Sequence, residues 1–316
     1  MIRRYFRSVS AAVAAIAFIA GCAGQSPLGA TNGAAQAVTT AGSQPRPQAT
    51  GKGLLFVASG NNSAIINFSG KVIRGFYMHT TNLCSTKQGY VLMPYQNEVV
   101  VFGHLGNTVR KLAAGFMPRS CATDPATNDV AVISKTRGGG GELALFHGDP
   151  RGTAKFLKDD QIATYGQCGY DSNSNLYFGG TDQAGNGYIA ELPAGSKTFV
   201  NYPIAAGLDP FGTLQWDGTH MTITNPAAET ISRLSFKNQK VAVVATIQVS
   251  GWNPVYDGKW PYVQTLILNG QFMAEVSKGT LGYWAYPDGG APVSTSARFF
   301  HKDEHVYGIA YSIATP

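Results

Sequence analysis

From residue 54 onward, the hydrophobic pattern of the chain is that of short β-strands. Apolar runs rich in Val, Ile, Phe and Tyr alternate with turns of Gly, Asn, Asp, Ser and Pro. Long runs of Ala, Leu, Glu and Lys, which favour helices, do not occur there. The pattern predicts an all-β domain over residues 51–316.

The strands recur in units of four. In the clearest unit, the first strand at residues 168–171 ends at an aspartate, and three more strands follow at 176–179, 188–192 and 199–204. Similar first strands begin at residues 84, 121, 214, 254 and 309, and the spacings between them run from 37 to 55 residues. Repeats of this length, built from short strands, are typical of propeller blades.

The unit that starts at residue 254 is the least regular one. We expect its first strand at 254–257, its second at 262–266 and its third at 281–286. Residues 269–280 then form the longest insertion of the domain, and we expect this loop to cover part of one face.

The two ends of the domain complement each other. The first unit opens directly with strands at 54–58, 64–68 and 72–76 and lacks a first strand, while a spare strand lies at 308–312. Pairing the last strand with the first unit closes the ring and removes an exposed sheet edge. The sequence therefore predicts an all-β, six-bladed β-propeller that is closed by its C-terminal strand. A β-sandwich is the structural alternative, but it does not explain this complementarity.

Two features resemble the NHL-type repeat. The first is the segment LLFVASGNNSAI at residues 54–65, and the second is the strand that ends at an aspartate in the later units. The resemblance extends over the whole domain and implies a propeller fold. Its motifs specify the fold and imply no particular activity.

An aspartate ends the first strand in four units, at Asp124, Asp171, Asp217 and Asp257. A ring of carboxylates that binds a cation is one interpretation. The other is that each side chain caps its own hairpin turn, because turn-forming residues follow each aspartate. We favour the second interpretation.

Three cysteines, Cys84, Cys121 and Cys168, occupy equivalent first-strand positions in successive units. The equivalent residues of the other units are Leu214, Pro254 and Ile309. These apolar equivalents favour a core position, in which free cysteine packs as a small hydrophobic residue. A disulfide requires Cα atoms about 4.4–6.8 Å apart, and we expect neighbouring blades to lie farther apart than this. One disulfide, which leaves an odd thiol, and a three-thiolate metal site remain the alternatives.

The first 50 residues differ in character from the repeats. Three arginines precede an apolar stretch at residues 11–20, which is too short for a permanent transmembrane helix. The tetrapeptide IAGC, which ends at Cys22, resembles the lipobox of bacterial lipoproteins. The resemblance implies a signal peptide at residues 1–21 and a lipid anchor, palmitate included, on Cys22.

Residues 22–50 are rich in Gly, Ala, Ser, Thr, Gln and Pro and carry almost no charge. Such a segment buries too little apolar surface to fold, so we expect a lipidated, flexible tether. The propeller would then hang from a membrane in the cell envelope, outside the cytoplasm. Because Ala23 rather than Asp follows Cys22, this would be the outer membrane if the organism has one.

The charge of the chain does not support nucleic-acid binding. The formal net charge of +6 comes from 24 basic and 18 acidic residues. Three of the basic residues lie in the predicted signal peptide, which leaves 21 against 18 in the mature chain. No cluster of Lys and Arg stands out among them.

The candidate ligand site is one mouth of the central channel. There, the loops that lead into the inner strands meet the loops between the second and third strands. Together these loops carry aromatic residues and a few charged residues, a combination that suits the binding of a small molecule or a protein partner. The first group of loops carries the candidate binding residues His79, Arg119, Tyr165, Phe211, Trp252 and His305, together with His301. The second group carries Lys135, Arg137, Asp182, Glu229, Glu275 and Lys278.

The sequence contains no recognisable catalytic set. Gly-x-Ser-x-Gly, His-Glu-x-x-His and Cys-x-x-Cys are absent. The Glu, Asn and Asp side chains that bind the metal ion in propeller lactonases cannot be matched to positions in this chain. Propeller lyases use His and Glu near a metal ion, and His305 and Glu275 are residues of these two types. We therefore expect a binding protein without a cofactor or metal and assign no catalytic residues, and the alternative is a metal-dependent hydrolase or lyase.

Overall fold

The structure, a computed structural model, describes residues 53–59, 62–80, 82–134, 141–148, 153–253 and 263–314. Within these ranges the chain forms six four-stranded antiparallel sheets in a ring, which confirms the predicted six-bladed β-propeller. A single 3₁₀ turn, Pro226–Ala228, is the helical element of this part of the chain. None of its helices is long and apolar enough to span a membrane.

Each blade runs from an inner strand at the channel to an outer strand at the rim. Blade 1 consists of β24 (Gly308–Ser312), β1 (Leu54–Ala58), β2 (Asn62–Ile66) and β3 (Val72–Tyr77). Blade 2 consists of β4 (Cys84–Ser85), β5 (Val91–Tyr95), β6 (Glu98–Phe102) and β7 (Thr108–Ala113). Blade 3 consists of β8 (Pro118–Thr123), β9 (Val130–Ser134), β10 (Leu143–Phe146) and β11 (Lys155–Leu157). Blade 4 consists of β12 (Thr164–Tyr170), β13 (Leu176–Thr181), β14 (Gly187–Leu192) and β15 (Val200–Pro203). Blade 5 consists of β16 (Leu214–Trp216), β17 (Met221–Asn225), β18 (Thr230–Lys237) and β19 (Lys240–Gln248). Blade 6 consists of β20 (Leu266–Leu268), β21 (Gln271–Ser277), β22 (Thr280–Ala285) and β23 (Gly289–Thr295).

The second and third strands of most blades are largely apolar, because neighbouring blades cover both of their faces. In β9 and β10 every residue is buried, whereas most residues of the outer strand β3 are exposed. Six apolar clusters fill the gaps between successive blades of the described ring. The core is therefore distributed between blades, and each blade is stabilised mainly by its two neighbours.

The ring closes as predicted. Strand β24 pairs antiparallel with β1 over five residue pairs, from Leu54 opposite Ser312 to Ala58 opposite Gly308. The last strand thus supplies the inner strand of blade 1, which the N-terminal part of the domain lacks.

Blade 6 corrects the prediction for the least regular unit. Its inner strand is β20, and β21 occupies most of the predicted loop at 269–280. Asn269 and Gly270 both have positive φ and join β20 to β21 in a two-residue turn, the geometry for which Asn-Gly is the preferred pair. The equivalent of the cysteine position is therefore Leu266, not Pro254, and the first strand predicted at 254–257 lies outside the described residues.

The cysteines also correct an expectation. Cys84 and Cys121 form a disulfide with Cα atoms 5.7 Å apart, so the inner strands of blades 2 and 3 lie closer together than expected. Inner strands converge on the channel, which brings equivalent positions of successive blades within bonding distance. Cys168 is the odd thiol, and it is buried.

Candidate functional site

The inner strands all begin on one face of the ring, here called the front face, and end on the opposite rear face. On the front face, a cavity of about 200 Å³ lies between blades 2 and 3. The connection into β4, the turn between β5 and β6, and the start of β8 line this front cavity. Its residues are His79, Thr80, Pro94, Tyr95, Gln96, Met117, Pro118 and Arg119.

Two of the six predicted binding residues, His79 and Arg119, meet in the front cavity, and both are exposed. Within the described part of the chain, no carboxylate forms an ion pair with either of them. Arg119 Nη2 lies 3.9 Å from Met117 Sδ, and Met117 is half exposed. The cavity thus combines two basic groups with the apolar surface of Met117 and Pro94.

A third predicted residue, His305, is held by Glu275 elsewhere on the front face. His305 Nδ1 lies 3.0 Å from Glu275 Oε2, while the backbone N–H groups of Gly279 and Val306 donate to Glu275 Oε1 at 3.1 and 3.2 Å. Burial raises the pKa of the Glu275 carboxyl, and the hydrogen bond from His305 opposes that shift. Both Glu275 oxygens are therefore occupied, and the pair joins β21 to the segment that leads into β24.

The predicted surface positions of Tyr165 and Trp252 are wrong. Tyr165 lies inside β12 and is 1% exposed; its hydroxyl accepts the Asp159 N–H at 2.6 Å, and its ring lies 4.5 Å from that of Phe178. Trp252 is 2% exposed and packs edge-on against Phe272. Both rings fill gaps between blades. Large aromatic side chains bury much apolar surface when they pack between two blades rather than facing solvent.

The other predicted loop residues do not join the front cavity. Phe211 is half-buried, and its backbone N–H donates to Asp209 Oδ1 at 2.9 Å. Asp182 caps its own turn through Asn186, and Lys278 is exposed. His301 lies 3.6 Å from Asp303 in an exposed pair. Lys135 and Arg137 lie outside the described residues.

The aspartates at the rear face are turn caps, as predicted. In Asp124, Asp171 and Asp217, one carboxylate oxygen accepts the backbone N–H two residues later at 2.7–2.8 Å. Asp257 lies outside the described residues. In the part of the chain that the structure describes, no three His, Cys, Asp or Glu side chains are placed to hold a metal ion.

The sequence reasoning missed the walls of the front cavity. Pro94 and Tyr95 end β5, Gln96 begins the turn to β6, and Met117 precedes β8. The sequence does indicate a turn here, because the Tyr-Gln pair ends the apolar run of β5. In the structure Gln96 has a positive φ, as expected of a turn residue. Charge and aromaticity drew the prediction to other loops, whereas the cavity is formed mostly by uncharged residues.

Comparison with known proteins supports the fold alone. No family model matches the chain, and no curated protein matches it. One similar solved structure is a protein of unknown function from Bacteroides caccae, 13% identical with a TM-score of 0.59, over 82% of this chain and 98% of that chain. Another is U3-55K, 9% identical with a TM-score of 0.52, over 73% of each chain. At these identities the chain is similar to both in its propeller architecture.

Proposed function

We propose that this propeller is an exported binding protein that holds a small organic anion in the front cavity. The observation that carries the proposal is the meeting of His79 and Arg119, without a partner carboxylate among the described residues, in a cavity with apolar walls. A guanidinium binds carboxylates through charge-assisted hydrogen bonds, and Met117 and Pro94 offer contact to an apolar group. The ligand class is therefore a carboxylate attached to a small apolar part.

The proposal predicts discrimination by charge. We expect 3-phenylpropionate to bind more tightly than 3-phenylpropanamide, the uncharged amide of the same shape, in isothermal titration calorimetry. Arg119→Met keeps the length of the side chain and removes its charge, so it should weaken binding of the acid at least tenfold, since a hydrogen bond to a charged group contributes ~1.5–3 kcal/mol.

Arg74→Met is the matched control, because Arg74 is an exposed arginine whose Nη1 donates to Leu105 O away from this cavity. It should bind the acid as the wild type does. Equal binding of acid and amide, or unchanged binding by the Arg119→Met variant, would rule out this placement of the site.

The export and membrane anchoring of the protein are part of the proposal. Two arguments support them: the lipobox-like tetrapeptide at Cys22 and the Cys84–Cys121 disulfide, which is a bond that persists in oxidising compartments outside the cytoplasm. Cys22→Ser should abolish palmitate labelling and release the protein from the membrane fraction of a bacterial host. Undiminished labelling of that variant would contradict the anchor.

We do not propose the hydrolase or lyase alternative. It depends on His305 and Glu275, and Glu275 is already engaged by His305 and two backbone N–H groups. No third acidic, histidine or cysteine side chain joins them as a metal-binding group within the described residues.

A further inference from the structure

The central channel holds a second cavity that is separate from the front cavity. At its front end, two amide side chains reach past the neighbouring blade. Asn82 Nδ2 donates to Gln167 Oε1 at 3.3 Å, which links blade 2 to blade 4, and Gln264 Oε1 accepts the Leu83 N–H at 2.8 Å, which links blade 6 to blade 2. Gln264 also accepts the Ile309 N–H at 3.2 Å. These amides narrow the channel at its front end.

Behind these amides lies a chamber of about 250 Å³, which the inner strands of blades 2 to 6 and of blade 1 surround. Its wall reaches Trp216 and Tyr170 at the rear end of the inner strands, so the chamber opens toward the rear face. The volume corresponds to roughly eight water molecules at ~30 Å³ each, which is the size of a single sugar ring.

The wall of the chamber carries no Lys, Arg, His, Asp or Glu among the described residues. It also stays neutral at physiological pH. Burial raises the pKa of the Cys168 thiol to about 12 and holds the pKa of the Tyr170 hydroxyl well above its usual range. A charged ligand would lose its hydration here without gaining a counter-charge, so the wall disfavours ions of either sign.

The wall is nevertheless not purely apolar. Gln167 is 3% exposed, and its Nε2 group donates to no partner within the described residues. Thr265 is 2% exposed, and its hydroxyl likewise has no partner in that part of the chain. An apolar ligand would leave these buried groups unsatisfied, whereas a ligand with hydroxyl groups would satisfy them. Trp216 and Tyr170 line the rear end of the chamber, and their side chains also pack in the apolar clusters between blades.

We propose that this chamber binds one small neutral polyol, of the size of a monosaccharide, which enters from the rear face. Hydrogen bonds from Gln167 and Thr265 orient the ligand. This site is independent of the anion site on the front face, so either proposal can fail without the other.

The test uses calorimetry with the full-length protein and three neutral sugars, D-glucose, D-galactose and N-acetyl-D-glucosamine. D-Glucuronate and protonated D-glucosamine are the charged counterparts. We expect saturable binding of at least one neutral sugar. D-Glucuronate and protonated D-glucosamine should both bind at least tenfold more weakly than that sugar. Gln167→Met should weaken the binding of that sugar at least tenfold, whereas Arg74→Met, at an exposed arginine that lines neither cavity, should leave it unchanged.

Thr265→Val is the second variant, because it removes one hydroxyl and preserves the shape of the side chain. It keeps the test valid if the Gln167→Met protein does not fold, as judged by near-UV circular dichroism. Absence of binding by all three neutral sugars, equal binding of charged sugars, or wild-type affinity in a folded Gln167→Met or Thr265→Val protein would overturn the proposal.

Discussion

Asp217 shows how much a single residue contributes to this propeller. Its buried carboxylate accepts hydrogen bonds from Arg233 Nε at 2.7 Å and from the Tyr286 hydroxyl at 2.6 Å, and it also caps its own turn. The hydrogen bonds from Tyr286 and from the turn backbone hold the pKa of Asp217 well below its usual range, although burial alone would raise it. Blades 5 and 6 are therefore joined at the rear face by an ionised carboxylate.

Asp217→Asn should lower the free energy of unfolding at pH 7 by about 3 kcal/mol, because Arg233 then loses its buried partner. The folded pKa is below the unfolded value of about 3.9, so the stabilisation is complete above the unfolded value and is lost progressively as the pH falls from there toward the folded pKa. The difference between wild type and variant should thus shrink between pH 5 and pH 2 in urea unfolding.

Glu98→Gln is the control for that experiment, because Glu98 forms an exposed ion pair with Lys111 at 2.6 Å. Exposed pairs contribute about 0–1 kcal/mol, so this change should have little effect at any pH. A difference between wild type and Asp217→Asn that stays constant down to pH 2 would show that the carboxylate is not held ionised.

At the scale of the elements, β4 is the shortest strand in the part of the ring that the structure describes. It has two residues and pairs with β5 through two residue pairs, whereas β12 has seven. The disulfide from Cys84 to Cys121 fixes this short inner strand to blade 3. We infer that the bond compensates for the pairing that β4 lacks.

Replacing Cys84 and Cys121 together by Ser should lower the free energy of unfolding by about 4 kcal/mol, given the 37-residue separation of the two cysteines. Cys168→Ala is the control, since it removes a sulfur from the same ring of positions without breaking a bond. The measurement is thermal and urea unfolding with and without a reductant. Wild-type protein that unfolds identically in reductant would argue against a structural role for the bond.

The elements also show what the sequence could and could not predict. Most strands were predictable, because runs such as β9 and β10 are almost wholly apolar and adjoin turn residues. Blade 6 was misassigned because the Asn-Gly turn at residues 269–270 was overlooked, although its signal is local. The burial of Tyr165 was not predictable, since an aromatic residue at the start of a strand suits both a ligand site and a core. The Cys84–Cys121 distance depends on the convergence of the inner strands, which no local pattern encodes.

At the scale of the whole molecule, ring closure makes the two ends of the domain interdependent. Without β24, blade 1 would expose the edge of β1 and the buried side chains Leu55 and Val57. A chain that ends at Tyr307 should therefore aggregate or lose its near-UV dichroism, and a chain that ends at Ala314 should behave as the full-length protein. Light scattering after size-exclusion chromatography measures the difference. A monomeric, fully folded chain ending at Tyr307 would contradict closure by the last strand.

The candidate site was predicted in part. The rule that ligands bind where connections into inner strands meet the turns between second and third strands points to the front face, and there the structure brings His79 and Arg119 into one cavity. The choice among the other loop residues failed because it used residue type alone, and burial separates Tyr165 and Trp252 from the surface. The chamber behind Asn82 and Gln264 was not predicted, since it arises from side chains that cross between distant repeats.

We propose the front cavity between blades 2 and 3 as the ligand site. The most direct test is a crystal structure of the protein with 3-(4-iodophenyl)propionate, in which anomalous scattering locates the iodine. We predict one iodine peak beside Met117 and Pro94, with the carboxylate of the ligand bound to Arg119. An iodine peak elsewhere on the ring, or a front cavity that stays unoccupied at saturating ligand, would contradict the claim.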